Sequence, residues 1–258
     1  MNNLKQRIKN GEAVHGCWLN TGSPLTAEIV GGAEFDWVLI DLEHGAGSES
    51  TLLPVLQALG NTKVTPIVRI ESPDGPRIHR VLDMGASGVM CPKISTPDDA
   101  LRLARGLHYP PFGTRGVAKM VRATGFGRNF QNYYDQSRDN IIGIAQIETV
   151  AVLDHLDEVA QTEGIDVLFI GPADLSMELG IIGQFDHPRF VKAMTETIAA
   201  AQKAGKAVGI LFFNADDYSR YYNLGIRFLA CGSDATFVAE GAHRLSGQLS
   251  QFRQSLNS

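Results

Sequence analysis

Short apolar runs alternate with helical segments along nearly the whole chain, and this alternation limits the possible folds more than any other feature. Each run is close to continuously apolar, as is typical of strands that are buried on both faces of a parallel sheet. We predict eight strands, over residues 14–20, 35–42, 64–70, 88–92, 141–147, 165–170, 207–213 and 226–231.

A predicted helix follows each strand, over residues 24–32, 50–59, 76–84, 97–107, 152–161, 189–204, 216–223 and from 236 onwards. Glycines that stop helices just before a strand, such as Gly85 and Gly225, give the chain a weak internal repeat. Eight strand–helix units predict one α/β domain over residues 1–258, a (β/α)8 TIM barrel. The rival is an open doubly wound sheet, whose nucleotide-binding forms are disfavoured because no GxGxxG or GxxxxGK[ST] motif occurs.

One long connection does not fit the repeat. Residues 108–140 are polar, contain Pro110-Pro111 and several glycines, and carry four basic residues from Arg115 to Arg128. Connections of this length in a compact domain usually have a function. We therefore expect residues 108–140 to form a lid or a subunit contact.

Composition excludes several classes of protein. The net charge of −5 disfavours a nucleic-acid surface, and no apolar stretch approaches the roughly 20 residues of a membrane helix. The N-terminus lacks the apolar core of a signal peptide. Cys17, Cys91 and Cys231 lie in apolar runs without CxxC spacing, so we interpret them as reduced core thiols of a cytoplasmic protein.

Barrels of this type place their active site at the carboxyl ends of the strands. The polar residues at those positions are Asn20, Asp41, Glu43, His44, Arg69, Lys93, Gln146, Glu148, Asp174, Asn214, Ser233 and Asp234. Glu148 and Asp174 follow successive strands, and neighbouring strands lie about 5 Å apart. Two carboxylates suit a hard cation such as Mg²⁺ or Mn²⁺. A solvated pair, or a helix cap by Asp174, is equally compatible with their placement.

Three basic residues at the strand ends each have a functional and a structural interpretation. Arg69 can hold a substrate carboxylate or form an ion pair with Glu71 or Asp41. His44 can act as a general base or be structural. Lys93 can form a Schiff base or remain a surface lysine. Glu148, Asp174, His44 and Arg69 all lie at the ends of strands two, three, five and six, and this coincidence favours a functional site.

Four blocks of sequence resemble the HpcH/HpaI aldolase family, which is related to phosphoenolpyruvate mutase-like barrels. They are residues 35–45 (FDWVLIDLEHG), 66–69 (PIVR), 146–149 (QIET) and 169–176 (FIGPADLS), and the similarity extends over nearly the whole chain. The combination of the last two blocks is highly specific. The resemblance implies a metal-dependent class II pyruvate aldolase, a carbon–carbon lyase that cleaves a 4-hydroxy-2-oxo acid, such as 4-hydroxy-2-oxoheptanedioate or a 2-keto-3-deoxy sugar acid, to pyruvate and an aldehyde.

The resemblance also implies roles for individual residues and a set of partners. Glu148 and Asp174 ligate Mg²⁺, Mn²⁺ or Co²⁺, without an organic cofactor. Arg69 binds pyruvate and polarises its keto oxygen, Gln146 orients the ketoacid, and the amides of Ala173 and Asp174 assist with its carboxylate. His44 is the acid/base group, with Asp83 as its partner. Members of the family usually form hexamers in which neighbouring subunits exchange the C-terminal helix. For such an enzyme, the basic residues from Arg115 to Arg128 would suit an acceptor aldehyde with a distal carboxylate.

Three alternatives remain at this level. They are a CoA-ester lyase of the citrate-lyase β-subunit type, a Schiff-base aldolase that uses Lys93, and a barrel that binds a ketoacid without catalysis. The first shares the fold and the metal, and the compact chain disfavours it. The second needs no metal, and the third needs no proton transfer.

Overall fold

Eight parallel strands close into a barrel in the computed structural model, which describes residues 3–256. The strands are β1 (Val14–Leu19), β2 (Trp37–Asp41), β3 (Thr65–Arg69), β4 (Gly88–Cys91), β5 (Ile142–Ile147), β6 (Val167–Ile170), β7 (Ala207–Phe212) and β8 (Phe228–Ser233). Each strand pairs with its neighbours along the chain, and β8 pairs with β1. The predicted TIM barrel is confirmed, and the open sheet is wrong.

Helices surround the barrel between the strands. They are α1 (Leu4–Lys9), α2 (Pro24–Gly31), α3 (Glu49–Leu59), α4 (Gly75–Asp83), α5 (Pro97–Leu107), α6 (Phe130–Asn140), α7 (Leu156–Gln161), α8 (Pro172–Glu178), α9 (Pro188–Lys203), α10 (Tyr218–Asn223) and α11 (Asp234–Ser255). Short 3₁₀ turns cover Arg122–Thr124, Ala151–His155 and Ala215–Asp217. Thr96 caps α5 as predicted, and its side chain accepts a hydrogen bond from the Asp99 amide.

Large aromatic side chains pack in the interior of the barrel. Trp37 and Phe228 are fully buried and stack with ring centroids 4.1 Å apart. Phe169 meets Phe228 edge-on. Glycines lie opposite these rings: a Cβ at Gly16 would overlap Trp37, and one at Gly209 would overlap Phe169. Alternation of large and small residues thus packs the interior and leaves the carboxyl ends of the strands for a site.

Three helices were not predicted, namely α1, α6 and α8. The first is only six residues long, and tertiary contacts hold it: buried Lys5 donates to the Ile141 carbonyl at 2.7 Å and lies 3.0 Å from Asp166. Helix α6 is largely polar and is therefore weak in apolar periodicity. Short helices of this kind depend on packing rather than on local propensity.

Residues 108–140 connect the end of α5 to the start of β5 and therefore belong to the amino-terminal side of the barrel. Arg115 is buried there and pairs with Asp83 at 2.7 Å. Arg122 donates to the carbonyls of Leu56 (3.0 Å) and Met84 (2.9 Å), near the ends of α3 and α4. This position does not support a lid over the same chain's strand ends, nor contact of these arginines with a substrate there. A subunit contact stays a prediction.

Helix α11 exposes an apolar stripe along most of its length. Val238, Leu245, Leu249 and Phe252 are each about three-fifths exposed or more, at spacings that place them along one side of the helix. Asp234, at the first turn, is the buried residue of this helix. An apolar stripe of this length favours a partner surface. Exchange of this helix between subunits stays a prediction.

The cysteines are unpaired, as predicted. Cys17 and Cys91 are buried and Cys231 is partly buried. Burial raises the pKa of the Cys17 thiol to about 12, so that thiol stays protonated at neutral pH. Over residues 3–256, the helices are all too short or too polar to cross a lipid bilayer.

Candidate active site

The polar residues at the carboxyl ends of β2, β3 and β5 and at the start of α8 form the candidate site. Asp41 and Arg69 are the last residues of β2 and β3, and the parallel register pairs them directly. Gln146 lies in β5, Glu148 follows it, and Asp174 lies in the first turn of α8. All five residues were among the strand-end candidates predicted from the sequence.

A bidentate ion pair joins Arg69 to Asp41. Arg69 Nε donates to Asp41 Oδ1 at 2.9 Å, and Nη2 donates to Oδ2 at 2.7 Å. Asp41 also accepts from the amides of Glu43 (3.1 Å) and His44 (3.2 Å) and from Asn20 Nδ2 (3.2 Å). Burial favours a higher pKa for Asp41, but the hydrogen bonds and charge of Arg69 outweigh it, so this pKa lies below its ordinary value.

This pairing limits what Arg69 can do. Asp41 occupies the Nε/Nη2 edge of the guanidinium, while Nη1 lies 3.2 Å from Glu43 Oε2. The remaining N–H groups on Nη1 and Nη2 are available to a substrate oxygen. Of the two ion-pair partners considered from the sequence, Asp41 is the observed one, because Glu71 pairs with Arg77 instead.

Glu148 is a buried carboxylate with an unusual electrostatic environment. Its Oε1 accepts the Lys93 amide at 2.8 Å, and Gln146 Nε2 donates to Oε2. Burial, together with the negative charges of Asp174 and Glu43, raises the pKa of Glu148 to about 7. A carboxyl group that burial and neighbouring negative charges disfavour in its ionised form is a typical ligand of a bound cation or carrier of a transferable proton.

Gly171 leaves the space into which Glu148 fits. A Cβ at this position would overlap Glu148 Oε2 and lie 2.8 Å from Gln146 Nε2. Gly171, not Asp174, is the N-cap of α8, so the alternative role of Asp174 as a helix cap is wrong. Asp174 is half-buried and contributes negative charge at Glu148.

The donor set fits a hard divalent cation that keeps several water ligands. Gln146 Oε1 is buried without a hydrogen-bond partner. It belongs to the side chain that contacts Glu148, whose ionised form burial disfavours. An oxygen-rich pocket of this kind suits Mg²⁺ or Mn²⁺, which proteins often hold through one or two carboxylates. No cluster of three or more His, Cys, Asp or Glu ligands occurs within residues 3–256. Two protein carboxylates are therefore the ligands to test.

His44 lies beside the ion pair, whereas Asp83 lies elsewhere. The His44 side chain is 62% exposed, and its Nε2 is 3.6 Å from Glu43 Oε1. Asp83 ends α4, and helices run back toward the amino-terminal side of the barrel, where Arg115 pairs with it. Within one chain, the His44 amide donates to Asp41 and its ring lies near Glu43, whereas Asp83 is not brought to His44.

Several residues of the site had no assigned role at the level of sequence. Glu43 contacts Arg69, and Asn20 supports Asp41 from β1. The main-chain amide of Asn20 donates to Asp234 Oδ1 at 2.7 Å, and this hydrogen bond fixes the position of Asn20. Their position at strand ends was visible in the sequence, but the contacts depend on the closure of β8 onto β1. Gly171 was visible in the sequence as part of the block 169–176, but its close approach to Glu148 was not.

Comparison with known proteins places the chain in a family. The model of the HpcH/HpaI aldolase/citrate lyase family matches residues 15–240. A hydroxypyruvate/pyruvate aldolase from Agrobacterium fabrum is 37% identical over 248 residues, covering 96% of this chain and 93% of that protein. A 4-hydroxy-2-oxo-heptane-1,7-dioate aldolase from Shigella sonnei is 36% identical over 247 residues, covering 96% and 94%.

Solved structures of similar fold point to the same family. A family member from Burkholderia cenocepacia superposes with a TM-score of 0.91 at 34% identity, covering 97% of this chain and all of that one. The citrate synthase SbnG superposes with a TM-score of 0.86 at 27% identity, covering 99% of each chain. The fold and the sequence agree over nearly the full length, and the chain belongs to the HpcH/HpaI aldolase/citrate lyase family.

Proposed function

We propose that this chain is a class II pyruvate aldolase that reversibly cleaves a 4-hydroxy-2-oxo acid to pyruvate and an aldehyde. The observation that carries the proposal is the buried Arg69–Asp41 pair beside the carboxylates of Glu148 and Asp174. Positive charge beside a candidate cation site is what the enolate of pyruvate requires, because negative charge develops on its oxygen. The aldolase relatives, at 36–37% identity, support this chemistry.

Glu148 and Asp174 are the proposed ligands of a divalent cation, Mg²⁺, Mn²⁺ or Co²⁺. When bound, the cation supplies a Lewis acid that makes the methyl protons of pyruvate easier to remove. Gln146 is proposed to orient the ketoacid indirectly, because its Nε2 donates to Glu148 and its unpaired Oε1 can accept a hydrogen bond from a bound water. The amides of Ala173 and Asp174, in the first turn of α8, have no intrahelical acceptor and are proposed donors to the pyruvyl carboxylate.

Arg69 is proposed to stabilise developing negative charge, and His44 is proposed to transfer a proton. Asp41 holds the guanidinium in one orientation, so that its free N–H groups on Nη1 and Nη2 face a developing oxyanion without reorganisation. His44 is exposed at the mouth, where it can take the proton of the 4-hydroxyl group in cleavage and return it in synthesis.

Asp83 can be the acid/base partner of His44 only if it comes from another subunit, because within one chain the two residues lie on opposite sides of the barrel. We therefore propose a homo-oligomer, a hexamer by resemblance, in which α11 is exchanged between neighbours. The exposed apolar stripe of α11 supports this proposal. Sedimentation velocity on the intact protein and on a Leu249→Glu/Phe252→Glu variant tests it, and a monomeric wild-type protein contradicts it. A cytoplasmic location is part of the same proposal.

The principal alternatives differ in chemistry. A CoA-ester lyase of the citrate-lyase type shares the fold, and the matching family model includes citrate lyases. A Schiff-base aldolase requires a desolvated lysine, whereas Lys93 is exposed. Trapping with borohydride in the presence of pyruvate distinguishes this alternative, since only an imine gives a covalent adduct. A binding protein without catalysis shows no exchange of pyruvate methyl protons in heavy water.

The decisive experiment is a cleavage assay over a panel of 4-hydroxy-2-oxo acids, with pyruvate release coupled to lactate dehydrogenase. The panel contains 4-hydroxy-2-oxoheptanedioate, 2-dehydro-3-deoxyglucarate and 2-keto-3-deoxy-rhamnonate. We expect activity that EDTA abolishes and Mn²⁺ restores, and that Glu148→Ala or Asp174→Ala eliminates. Activity that persists in either variant would overturn the mechanism, and cleavage of a CoA ester instead would favour the citrate-lyase alternative.

A further inference from the structure

Lys93 has a backbone conformation that lysine rarely adopts. It is the second residue after β4 and has a φ of +52°. In the part of the chain that the structure describes, only Glu34 and Phe126 share a positive φ among residues other than glycine. A left-handed conformation costs an L-residue about 1–2 kcal/mol. Such outliers concentrate at functional sites, where the surrounding structure holds them in place.

The conformation directs the main chain of Lys93 onto the candidate site. Its amide donates to Glu148 Oε1 at 2.8 Å, and its carbonyl accepts from Ser95 Oγ at 3.1 Å. Ile94, which follows, is fully buried. The Cα of Lys93 is therefore fixed beside Glu148. Glycine makes the same main-chain contacts without strain, so these contacts alone do not explain a lysine.

The side chain of Lys93 is free, unlike that of the other cation at the mouth. Arg69 is buried and engaged by Asp41 and Glu43. Lys93 is exposed, and its ammonium group makes no hydrogen bond or ion pair with any residue from 3 to 256. A flexible stem with an unpaired ammonium group is suited to an anion that arrives with a ligand.

We propose that Lys93 is a specificity-determining residue that binds an anionic group, such as a carboxylate, on the distal end of the substrate. This inference rests on the proposed aldolase function, which places the reacting carbons at Glu148 and Arg69. The Lys93 amide donates to Glu148 Oε1, so this exposed residue lies at the edge of the proposed reacting centre, and the proposal assigns the aldehyde portion of an elongated substrate to the space beside it. The preferred aldehyde products are therefore those that carry a negative charge.

Within one chain, Lys93 is better placed for this role than Arg115 and Arg122 of segment 108–140. Arg115 is buried against Asp83, and Arg122 donates to main-chain carbonyls on the amino-terminal side of the same chain. Neither guanidinium group is free at the strand ends. Lys93 lies at the strand ends and is paired with no anion among residues 3–256.

The test compares two substrates that differ only in distal charge. One is a 4-hydroxy-2-oxo acid that ends in a carboxylate, and the other is its uncharged analogue ending in a methyl group. For the wild-type enzyme with Mn²⁺, we expect kcat/KM to favour the charged substrate. Lys93→Met is expected to lower that preference by about tenfold or more, mainly through KM, since a charged hydrogen bond is lost. Lys93→Arg is expected to retain most of the preference.

The controls separate this inference from the proposed function. Lys192→Met removes an exposed lysine on α9 and serves as the matched control, whose preference is expected to equal that of the wild type. Equal losses on both substrates in Lys93→Met overturn the inference, because they mean that Lys93 acts through Glu148. A wild-type enzyme that cleaves both substrates without preference also overturns it. A wild-type enzyme that cleaves neither substrate, nor any other member of the panel, overturns the proposed function itself.

Discussion

Arg69 and Asp41 lie edge to edge at the ends of adjacent strands, with Nε 2.9 Å from Oδ1 and Nη2 2.7 Å from Oδ2. Both side chains are buried, and the parallel register of β2 and β3 places them opposite each other. A buried pair of this geometry fixes the direction of the guanidinium and leaves its outer N–H groups for a ligand. Stability and substrate binding are therefore linked through Asp41.

Replacement of Asp41 by asparagine should destabilise the fold and lower activity together. The variant keeps the size of the side chain but leaves the buried Arg69 without its principal anion, which typically costs about 3–5 kcal/mol of unfolding free energy. Urea unfolding measures this loss. The control is Arg77→Met at the more exposed contacts with Glu71 and Glu49, where a loss below about 1 kcal/mol is expected. Equal losses in the two variants would show that burial does not strengthen the Asp41 pair.

Removal of one carboxylate from the candidate metal site should weaken cation binding. Glu148→Gln and Asp174→Asn each subtract one negative charge, and we expect the dissociation constant for Mn²⁺ to rise by more than about tenfold, since affinity follows ligand charge. Isothermal titration of the EDTA-treated protein measures it. Glu163→Gln, an exposed residue just before β6, is the matched control. Unchanged Mn²⁺ affinity in both site variants contradicts the assigned ligands.

Gly171 is expected to matter for the site rather than for the fold. Its φ of −89° is accessible to alanine, but an alanine Cβ would overlap Glu148 Oε2 and crowd Gln146. Gly171→Ala should therefore displace the Glu148 carboxylate and lower Mn²⁺ affinity and kcat/KM by about tenfold or more, because positioning governs both. Gly32→Ala is the control, since its added Cβ meets only ordinary contacts at 3.5 Å. Wild-type Mn²⁺ affinity in Gly171→Ala would mean that Glu148 can relocate freely.

The strands could be predicted from sequence because each is buried on both faces and reads as an apolar run. All eight were found, with shifts at their ends; the last begins at Phe228 rather than at residue 226. Helix α8 was missed because it is short and begins with Gly171-Pro172, which resembles a loop. Its stability comes from packing on the barrel, with Leu175 and Ser176 fully buried, and not from a sequence pattern.

The location of the site could be predicted, but several of its contacts could not. Strand-end residues share one edge of a parallel barrel, so Arg69, Glu148 and Asp174 were identified without a structure. The choice of Asp41 over Glu71 as the partner of Arg69 depends on strand register, which sequence does not specify. Arg115 appeared available to a substrate because its burial against Asp83 arises from a contact between residues distant in the chain.

His108 should make the stability of the protein dependent on pH. Its imidazole is buried near Lys5, and its Nδ1 has no partner among the described residues. Burial first, and the charge of Lys5 second, lower the pKa of His108 to about 4 in the folded state. The ordinary value is 6.5. Between these two pH values the unfolded chain binds more protons than the folded chain, so acid favours unfolding.

The stabilisation from neutral His108 is thus complete above pH 6.5 and is lost as the pH falls toward 4. The full loss is about 3 kcal/mol, from the size of the pKa shift. His108→Gln cannot take up this proton, so its unfolding free energy should fall less than that of the wild type over the same interval. Urea unfolding at pH 7.5 and at pH 4.5, in the presence of EDTA, measures both changes. Parallel losses in the two proteins would show that His108 is protonated without cost, through rearrangement of the Lys5–Asp166 pair beside it.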